Sequence, residues 1–232
     1  MNDAPPAETL VWDLPLRLFH WILALVLAAC WATQEMGSRW MEVHMWLGYA
    51  AGALVIFRCI WGFAGPRHAR FGSFVTGPGA VLAYLRAWLG GNPPGYAGHN
   101  PAGAWSVLLM LGLVAAQVAT GMVNADDTIY AGPWHYEVPG RIADIAGWLH
   151  NDLFYALAGL AGVHVLAVLA YRWRPGIDLV RPMITGRKRT GDAGIDGSRP
   201  LRAGLALFAA IALMALAVVL APAPDLADLG IY

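Results

Sequence analysis

The sequence predicts an all-α integral membrane protein with five transmembrane helices. Of its 232 residues, 58% are hydrophobic and only 13% are charged, a composition that is unusual for a soluble domain of this length. A helix needs about 20 mostly apolar residues to cross the hydrocarbon core of a bilayer. Five segments approach that length, and they cover residues 16–33, 45–63, 102–123, 145–171 and 203–221.

The segments before and between these helices differ in character. The first helix follows acidic and proline residues instead of a basic leader, so we expect it to be retained and not cleaved as a signal peptide. Residues 65–101 contain a predicted short amphipathic helix on the membrane surface, marked by Val81, Leu82, Leu85 and Leu89. Residues 124–147 include the turn-rich stretch YAGPWHYEVPG, which predicts a compact lid, and residues 172–202 contain TGRKRTGDAGIDGS, which predicts a flexible basic loop.

The distribution of basic residues predicts the orientation. Lysine and arginine near helix ends are retained on the cytoplasmic side. Only Arg39 and Arg141 fall on one side of the predicted bundle, and Arg58 lies at the inner end of the second helix, where we expect it to snorkel towards water. The other side carries Arg17, Arg67, Arg70, Arg86, Arg172, Arg174, Arg181, Arg187, Lys188, Arg189, Arg199 and Arg202. The N-terminus is therefore predicted to be cytoplasmic and the C-terminus periplasmic.

The two cysteines predict neither a disulfide nor a covalent haem. Cys30 and Cys59 fall near opposite faces of the predicted bundle, so we expect free thiols packed as small apolar groups. The sequence has no C-x-x-C-H stretch, which is the attachment motif of c-type haem.

Four of the seven histidines fall within predicted membrane spans. His68, His99 and His135 lie in loops, where a histidine needs no special function. An ionisable side chain inside a bilayer is costly and therefore indicates function. The four in spans are His20, His44, His150 and His164.

The spacing of these four histidines predicts two pairs. His150 and His164 are separated by about 1,400° of helical rotation, roughly 40° short of four full turns, and by about 21 Å along the axis. They therefore share one face at two depths. His44 opens the second helix at the outer boundary, and His20 lies near the inner entrance of the first. Depth thus pairs His44 with His150, and His20 with His164.

Two opposed imidazoles at one depth are what a six-coordinate b-type haem requires. Zinc prefers four protein or water ligands, and Asp152 is the only further candidate ligand near these depths. Arg17 precedes His20 by three residues on the same face. It is a candidate partner for a haem propionate, and it is equally well explained as a positive-inside anchor.

These motifs resemble the bacterial cytochrome b561 family, which includes b-type cytochrome subunits of nickel-iron hydrogenases. The resemblance rests on RLFHW at residues 17–21, HMWLGY at residues 44–49 and the two histidines of residues 148–173, and it extends over roughly residues 9–175. It implies a four-helix bundle with two non-covalent, bis-histidine haem b groups in residues 1–175. A basic cytoplasmic loop at 176–202 and a fifth transmembrane helix with a short outer tail at 203–232 depart from the shortest family members.

The resemblance implies electron transfer in the bacterial inner membrane between quinone or quinol and a redox protein such as a c-type cytochrome or a hydrogenase. We expect that protein on the acidic outer face, besides contact with lipid and without a nucleic-acid partner. One alternative is a stand-alone superoxide:quinone oxidoreductase, although an anionic substrate favours a cationic entry. A non-redox transporter or metal-binding membrane protein is the third. Quinone-site residues are left unassigned, with His68 and the lid at 134–137 as candidate places.

Overall fold

The computed structural model describes residues 8–126, 130–172, 178–189, 194–195 and 199–222. In these residues the protein is mainly helical, as expected. Helices α1 to α7, in chain order, cover Leu14–Glu35, Met41–Ala64, Pro78–Leu89, Pro101–Gly121, Gly140–Arg172, Val180–Thr185 and Pro200–Val219. Five of them, α1, α2, α4, α5 and α7, are long and apolar enough to cross a membrane, which confirms the predicted all-α membrane fold.

Helix α5 is longer than the apolar segment that predicted it. It begins at Gly140 and has 33 residues, and the carbonyl of Pro139 accepts hydrogen bonds from the amides of Ile142 and Ala143 at 2.7 and 3.2 Å. Its first turns contain Arg141 and Asp144, which a search for apolar residues passes over. Hydropathy marks the part of a helix suited to lipid, whereas backbone hydrogen bonding continues beyond it.

Helix α3 forms where the sequence predicts a short amphipathic helix. Its Tyr84 is buried and shares a hydrogen bond with the hydroxyl of Tyr171 on α5. On the other side of α3, Leu82, Leu85 and Leu89 are exposed. This arrangement suits a helix that packs one face on protein and offers an apolar stripe to lipid.

A small β-sheet replaces part of the loop that was predicted to be flexible. Strand β1 (Glu8–Leu10) pairs antiparallel with β2 (Arg187–Arg189), and Glu8 forms an ion pair with Arg181 at 3.0 Å. Gly186 has a φ of +81°, which glycine tolerates best, and its carbonyl accepts the amides of Val11 and Trp12 at 2.8 and 3.1 Å. The prediction of flexibility is therefore wrong for residues 185–189, because partners far away in sequence order this segment. Residues 190–193 and 196–198 lie outside the described residues.

The chain divides into two compact units, each assembled from three stretches. The first unit comprises Met1–Trp21, Arg58–Met110 and Leu160–Ala206, and the second comprises Ile22–Phe57, Leu111–Gly159 and Leu207–Tyr232. The first unit therefore holds His20 and His164, and the second holds His44 and His150.

The second unit has a small apolar core formed by α2, α4 and α5. Its buried members are Ala51, Val55, Val114 and Leu157. Helix α7 joins this unit through Met214, since a Cβ at Gly52 would lie 2.6 Å from the Met214 sulfur and 3.0 Å from Val118. Gly52 leaves room for the Met214 side chain, so in this unit the fifth helix packs against the other helices.

The lid expected near residues 134–137 is compact and belongs to the second unit. The Trp134 amide donates to the carbonyl of Met122 at 2.9 Å, and its indole Nε1 donates to the carbonyl of Ala217 at 2.8 Å. His135 Nδ1 lies 2.9 Å from the carbonyl oxygen of Val123, to which it donates. The lid thus connects the end of α4 with the end of α7.

The first unit buries an arginine that we expected to snorkel towards water. Arg58 is only 1% exposed, and its guanidinium carbon lies 4.5 Å from the centre of the Phe71 ring. The expectation of snorkelling is therefore wrong. The segment after α2 folds back onto this helix, and the Phe71 ring lies so close to Gly62 that a Cβ there would overlap it. This places an aromatic ring over the guanidinium.

Both cysteines are free thiols, but the expectation that both are packed as small apolar groups is wrong for Cys59. Cys30 is half-buried and Cys59 is exposed.

Candidate haem-binding sites

In the second unit, His44 and His150 face each other. Their ring centroids are 6.3 Å apart and their planes are nearly perpendicular, at 83°. Two metal–nitrogen bonds of about 2 Å each, plus the distance from each nitrogen to its ring centre, give a centroid separation of about 6 Å. The spacing fits one metal ion between the two rings.

The outer nitrogen of each of these rings is held by a backbone carbonyl. His44 Nδ1 lies 2.9 Å from the carbonyl oxygen of Cys30, and His150 Nδ1 lies 3.0 Å from that of Gln117. A carbonyl oxygen only accepts, so each Nδ1 carries the proton and Nε2 is the nitrogen free to bind a metal. Such bonds fix the tautomer and orientation of metal-binding histidines.

A threonine supports each of these two histidines. Thr33 Oγ1 lies 3.4 Å from His44 Nδ1, and Thr120 Oγ1 lies 3.2 Å from His150 Nδ1. Each hydroxyl also donates to a carbonyl one turn earlier, that of Ala29 and that of Ala116, both at 2.8 Å. Sequence reasoning missed these threonines, although a threonine inside an apolar span is a recognisable signal.

Two glycines leave room beside this pair. A Cβ at Gly121 would lie 2.8 Å from His150 Cε1, so the glycine lets α4 approach the ring. Gly48 follows His44 by one turn on the same face of α2, and among the described residues a Cβ there would meet nothing within 4 Å. The absence of a side chain one turn from the histidine suits a flat macrocycle.

In the first unit, His20 and His164 form a second facing pair. Their ring centroids are 6.4 Å apart with an interplanar angle of 52°, so the same metal spacing applies. This pair differs in its support, because His20 Nδ1 is buried without a hydrogen-bond partner among the described residues. Trp21 lies edge-on to the His20 ring at 5.0 Å and donates to the carbonyl of Met183 at 3.1 Å.

The donor set favours haem over a bare metal ion. Among the described residues, no group of three or more histidine, cysteine or carboxylate side chains is placed to hold a metal. Structural zinc needs such a group. A haem brings four ring nitrogens of its own and takes only two axial ligands from the protein, so two histidines per site fit it.

Arg17 is oriented towards the segment around α6. Its Nη1 donates to the carbonyl of Ile184, while its Nε is buried without a partner in the part of the chain that the structure describes. Arg17 thus makes one hydrogen bond to the backbone through Nη1, and its buried Nε remains available as a donor.

The family model of prokaryotic cytochrome b561 matches residues 11–186 of this chain. The chain belongs to the prokaryotic cytochrome b561 family. It is therefore a multi-pass membrane b-type cytochrome, which carries haem b and takes part in electron transfer.

Relatives of this cytochrome include three probable Ni/Fe-hydrogenase B-type cytochrome subunits. The one from Cupriavidus necator is 22% identical over 79% of this chain and 88% of its own length. Those from Azotobacter chroococcum and Azotobacter vinelandii are 26% and 25% identical, each over 67% of this chain and 78% of its own length. No solved structure matches the chain significantly.

Two loop histidines lie in a more structured setting than the sequence indicated. His68 is buried, and the His99 ring packs against Trp12 at 4.7 Å and Phe74 at 4.4 Å. Burial first, and then the charge of Arg58, lower the pKa of His99 to about 3. Both histidines line a cavity of about 120 Å³ together with Arg67, Ser73 and Tyr96.

Proposed function

We propose that this cytochrome binds two haem b groups, one between His20 and His164 and one between His44 and His150. The observation that carries the proposal is the repeated geometry, two histidine pairs with centroid separations of 6.4 and 6.3 Å. Each pair would hold one haem through its two imidazole rings.

We further propose that the protein transfers electrons between the quinone pool and a redox protein. Haem b supplies one-electron redox chemistry when it is bound. Because both histidines of a pair would hold the group, it would exchange electrons with its partners without binding oxygen or another substrate. Helix α5 carries one ligand of each pair, fourteen residues apart in sequence, which suits a conduit along the helix.

The charges on the two units support an orientation. The first unit exposes many arginines, among them Arg67, Arg70, Arg86, Arg181 and Arg189. The second unit exposes Glu35, Glu42, Glu137, Asp144 and Asp152. By the positive-inside rule, the first unit and the N-terminus face the cytoplasm of the bacterial inner membrane and the C-terminus faces the periplasm.

The acidic second unit supports a cationic redox partner on the outer face. Complementary charge steers such a partner to its docking surface. The same surface repels an anionic substrate such as superoxide, so we place the superoxide:quinone oxidoreductase second. Three relatives bear the name of hydrogenase cytochrome subunits, which makes a hydrogenase one partner to test.

The test is haem content followed by quinol oxidation. Pyridine haemochrome analysis of the purified protein should give two haem b groups per chain, all extractable with acid acetone, and carbon monoxide should leave the reduced spectrum unchanged. Quinol added to the oxidised protein in liposomes should reduce haem. Fewer than two haem groups per chain would contradict the two-haem proposal. Haem that exchanges electrons with soluble donors but never with quinol would contradict the quinone assignment.

A further inference from the structure

Arg58 on α2 is a buried cation with unused hydrogen-bond donors. It is 1% exposed, and both Nη1 and Nη2 are buried without an acceptor among the described residues. The Phe71 ring covers one face of the guanidinium at 4.5 Å. A ring over the face leaves the N–H groups unsatisfied, because those bonds point outward in the guanidinium plane.

This arrangement requires an anion. A guanidinium does not lose its proton in proteins, and a buried charge is strongly destabilising unless it is paired and hydrogen-bonded. The donors that remain unpaired point to an acceptor that carries negative charge, and a carboxylate matches the fork of an arginine best.

Asp13 is close enough to attract the charge of Arg58, but it accepts no hydrogen bond from the guanidinium. Its Oδ2 accepts a hydrogen bond from Trp61 at 3.0 Å, its Oδ1 is buried without a partner, and no ion pair joins it to Arg58 within the described residues. Burial raises the pKa of Asp13, which opposes its ionisation. Arg17 adds a second guanidinium whose Nε is unpartnered, so positive charge exceeds negative charge in this interior.

Packing and hydrogen bonding connect Arg58 to the helix that carries His20. Trp61, three residues after Arg58 on α2, donates to Asp13, which precedes His20 by seven residues. On another side, the Phe74 ring lies 6.0 Å from the Arg58 guanidinium carbon and 4.4 Å from the ring of His99. The Nδ1 of His99 is also buried without a hydrogen-bond partner among the described residues. In the described part of the second unit, the buried atom without a partner is instead the acceptor Gln117 Oε1. Unsatisfied cationic donors thus accompany the His20–His164 pair.

We propose that Arg58 binds a propionate carboxylate of the haem held by His20 and His164, and so anchors that haem and sets its potential. The proposal rests on haem binding at that pair, as set out above. A haem carries two propionates, and the buried donors of Arg58 and Arg17 supply a cation for each. Positive charge beside a haem favours the ferrous state, so Arg58 raises the midpoint potential of this haem.

Redox potentiometry of matched variants tests the role of Arg58. Arg58→Gln removes the charge, whereas Arg58→Lys keeps the charge but lacks the two parallel N–H donors of a guanidinium. The control is Arg86→Gln, at an exposed arginine of α3 in the same unit. Arg58→Gln should lower the potential of the His20–His164 haem and leave the other haem unchanged. Arg58→Lys should shift it less, and Arg86→Gln should not shift it. Equal potentials in wild type and Arg58→Gln would overturn the proposal.

A second measurement does not depend on the variant folding. Wild-type apoprotein is loaded with haem b or with its dimethyl ester, whose propionates carry no charge. The ester should bind the His20–His164 site about tenfold or more weakly, the range expected for losing charged hydrogen bonds, and should lose less at the other site. Equal loss at both sites overturns the Arg58 assignment alone, whereas wild-type protein that binds no haem overturns the proposed function.

Discussion

The Nδ1 atom of His44 lies 2.9 Å from the carbonyl oxygen of Cys30, so one helix orients the proposed ligand of the next. His150 has the same support from Gln117, whereas His20 Nδ1 has no such partner among the described residues. A hydrogen bond from Nδ1 to a carbonyl makes the imidazole a more basic ligand, and a more basic ligand favours ferric iron.

We therefore expect two distinct haem potentials. The haem between His44 and His150 should have the lower midpoint potential, and the haem between His20 and His164 the higher. A redox titration of the α-band should resolve two components, which the single-haem variants His20→Ala and His44→Ala assign. The reverse order would contradict the carbonyl argument.

The pairing makes a prediction about haem loss. His44→Ala and His150→Ala should each remove the same haem and leave the spectrum of the other, while His20→Ala and His164→Ala should remove the second. Low-temperature difference spectra and haem content measure this. The variants His68→Ala, His99→Ala and His135→Ala should keep two haems per chain. A variant His20→Ala with the spectrum of His44→Ala would contradict the pairing.

Gly121 offers a test that leaves both ligands in place. A Cβ at this position would lie 2.8 Å from His150 Cε1 and 3.2 Å from its Nδ1. Overpacking of this kind costs about 1–3 kcal/mol, so Gly121→Ala should weaken or displace the haem at His44 and His150. Gly112→Ala on the same helix is the control, since a Cβ there meets nothing within 4 Å among the described residues. Equal haem content in both variants would show that the ring adapts.

Features of this fold that depend on neighbouring residues in the sequence could be predicted, whereas features that depend on contacts between distant residues could not. Apolar length marked every long helix, because lipid acts on each span separately, and helical periodicity placed His150 and His164 on one face. The buried state of Arg58 could not be predicted, since it depends on Phe71 folding back from a loop. Strand β2 likewise depends on a partner strand near the N-terminus. For the same reason, the sequence could not predict which backbone carbonyls accept hydrogen bonds from His44 and His150.

Asp13 should make stability depend on pH. Burial raises the pKa of Asp13 above its ordinary value of 3.8, and the hydrogen bond from Trp61 partly opposes this. Between 3.8, the pKa of Asp13 in the unfolded chain, and its higher pKa in the folded protein, the folded protein holds a proton that the unfolded chain has released. Stability therefore falls as pH rises through this window. Below 3.8 the contribution is fully present, and above the folded-state pKa it is lost.

Asp13→Asn should remove this slope while its amide oxygen still accepts from Trp61. The measurement is thermal unfolding in detergent at a series of pH values from about 4 upward, with wild type compared at each pH. Trp61→Phe removes the donor that favours the ionised form, so it should extend the window to higher pH. An identical pH slope in wild type and Asp13→Asn would exclude Asp13 as its source.

The acidic surface of the second unit makes the last prediction. Glu35 ends α1 and Glu137 lies in the lid, and both are exposed. Charge complementarity acts mainly on the association rate and is screened by salt. The double variant Glu35→Lys, Glu137→Lys should therefore slow electron transfer to a cationic c-type cytochrome at low ionic strength, and the difference from wild type should shrink as salt is added. Stopped-flow oxidation of the pre-reduced protein in oriented liposomes measures this rate, with Arg86→Glu in the first unit as the charge-change control. Equal slowing by Arg86→Glu, or no slowing by the double variant, would contradict the assignment of the docking surface to this face.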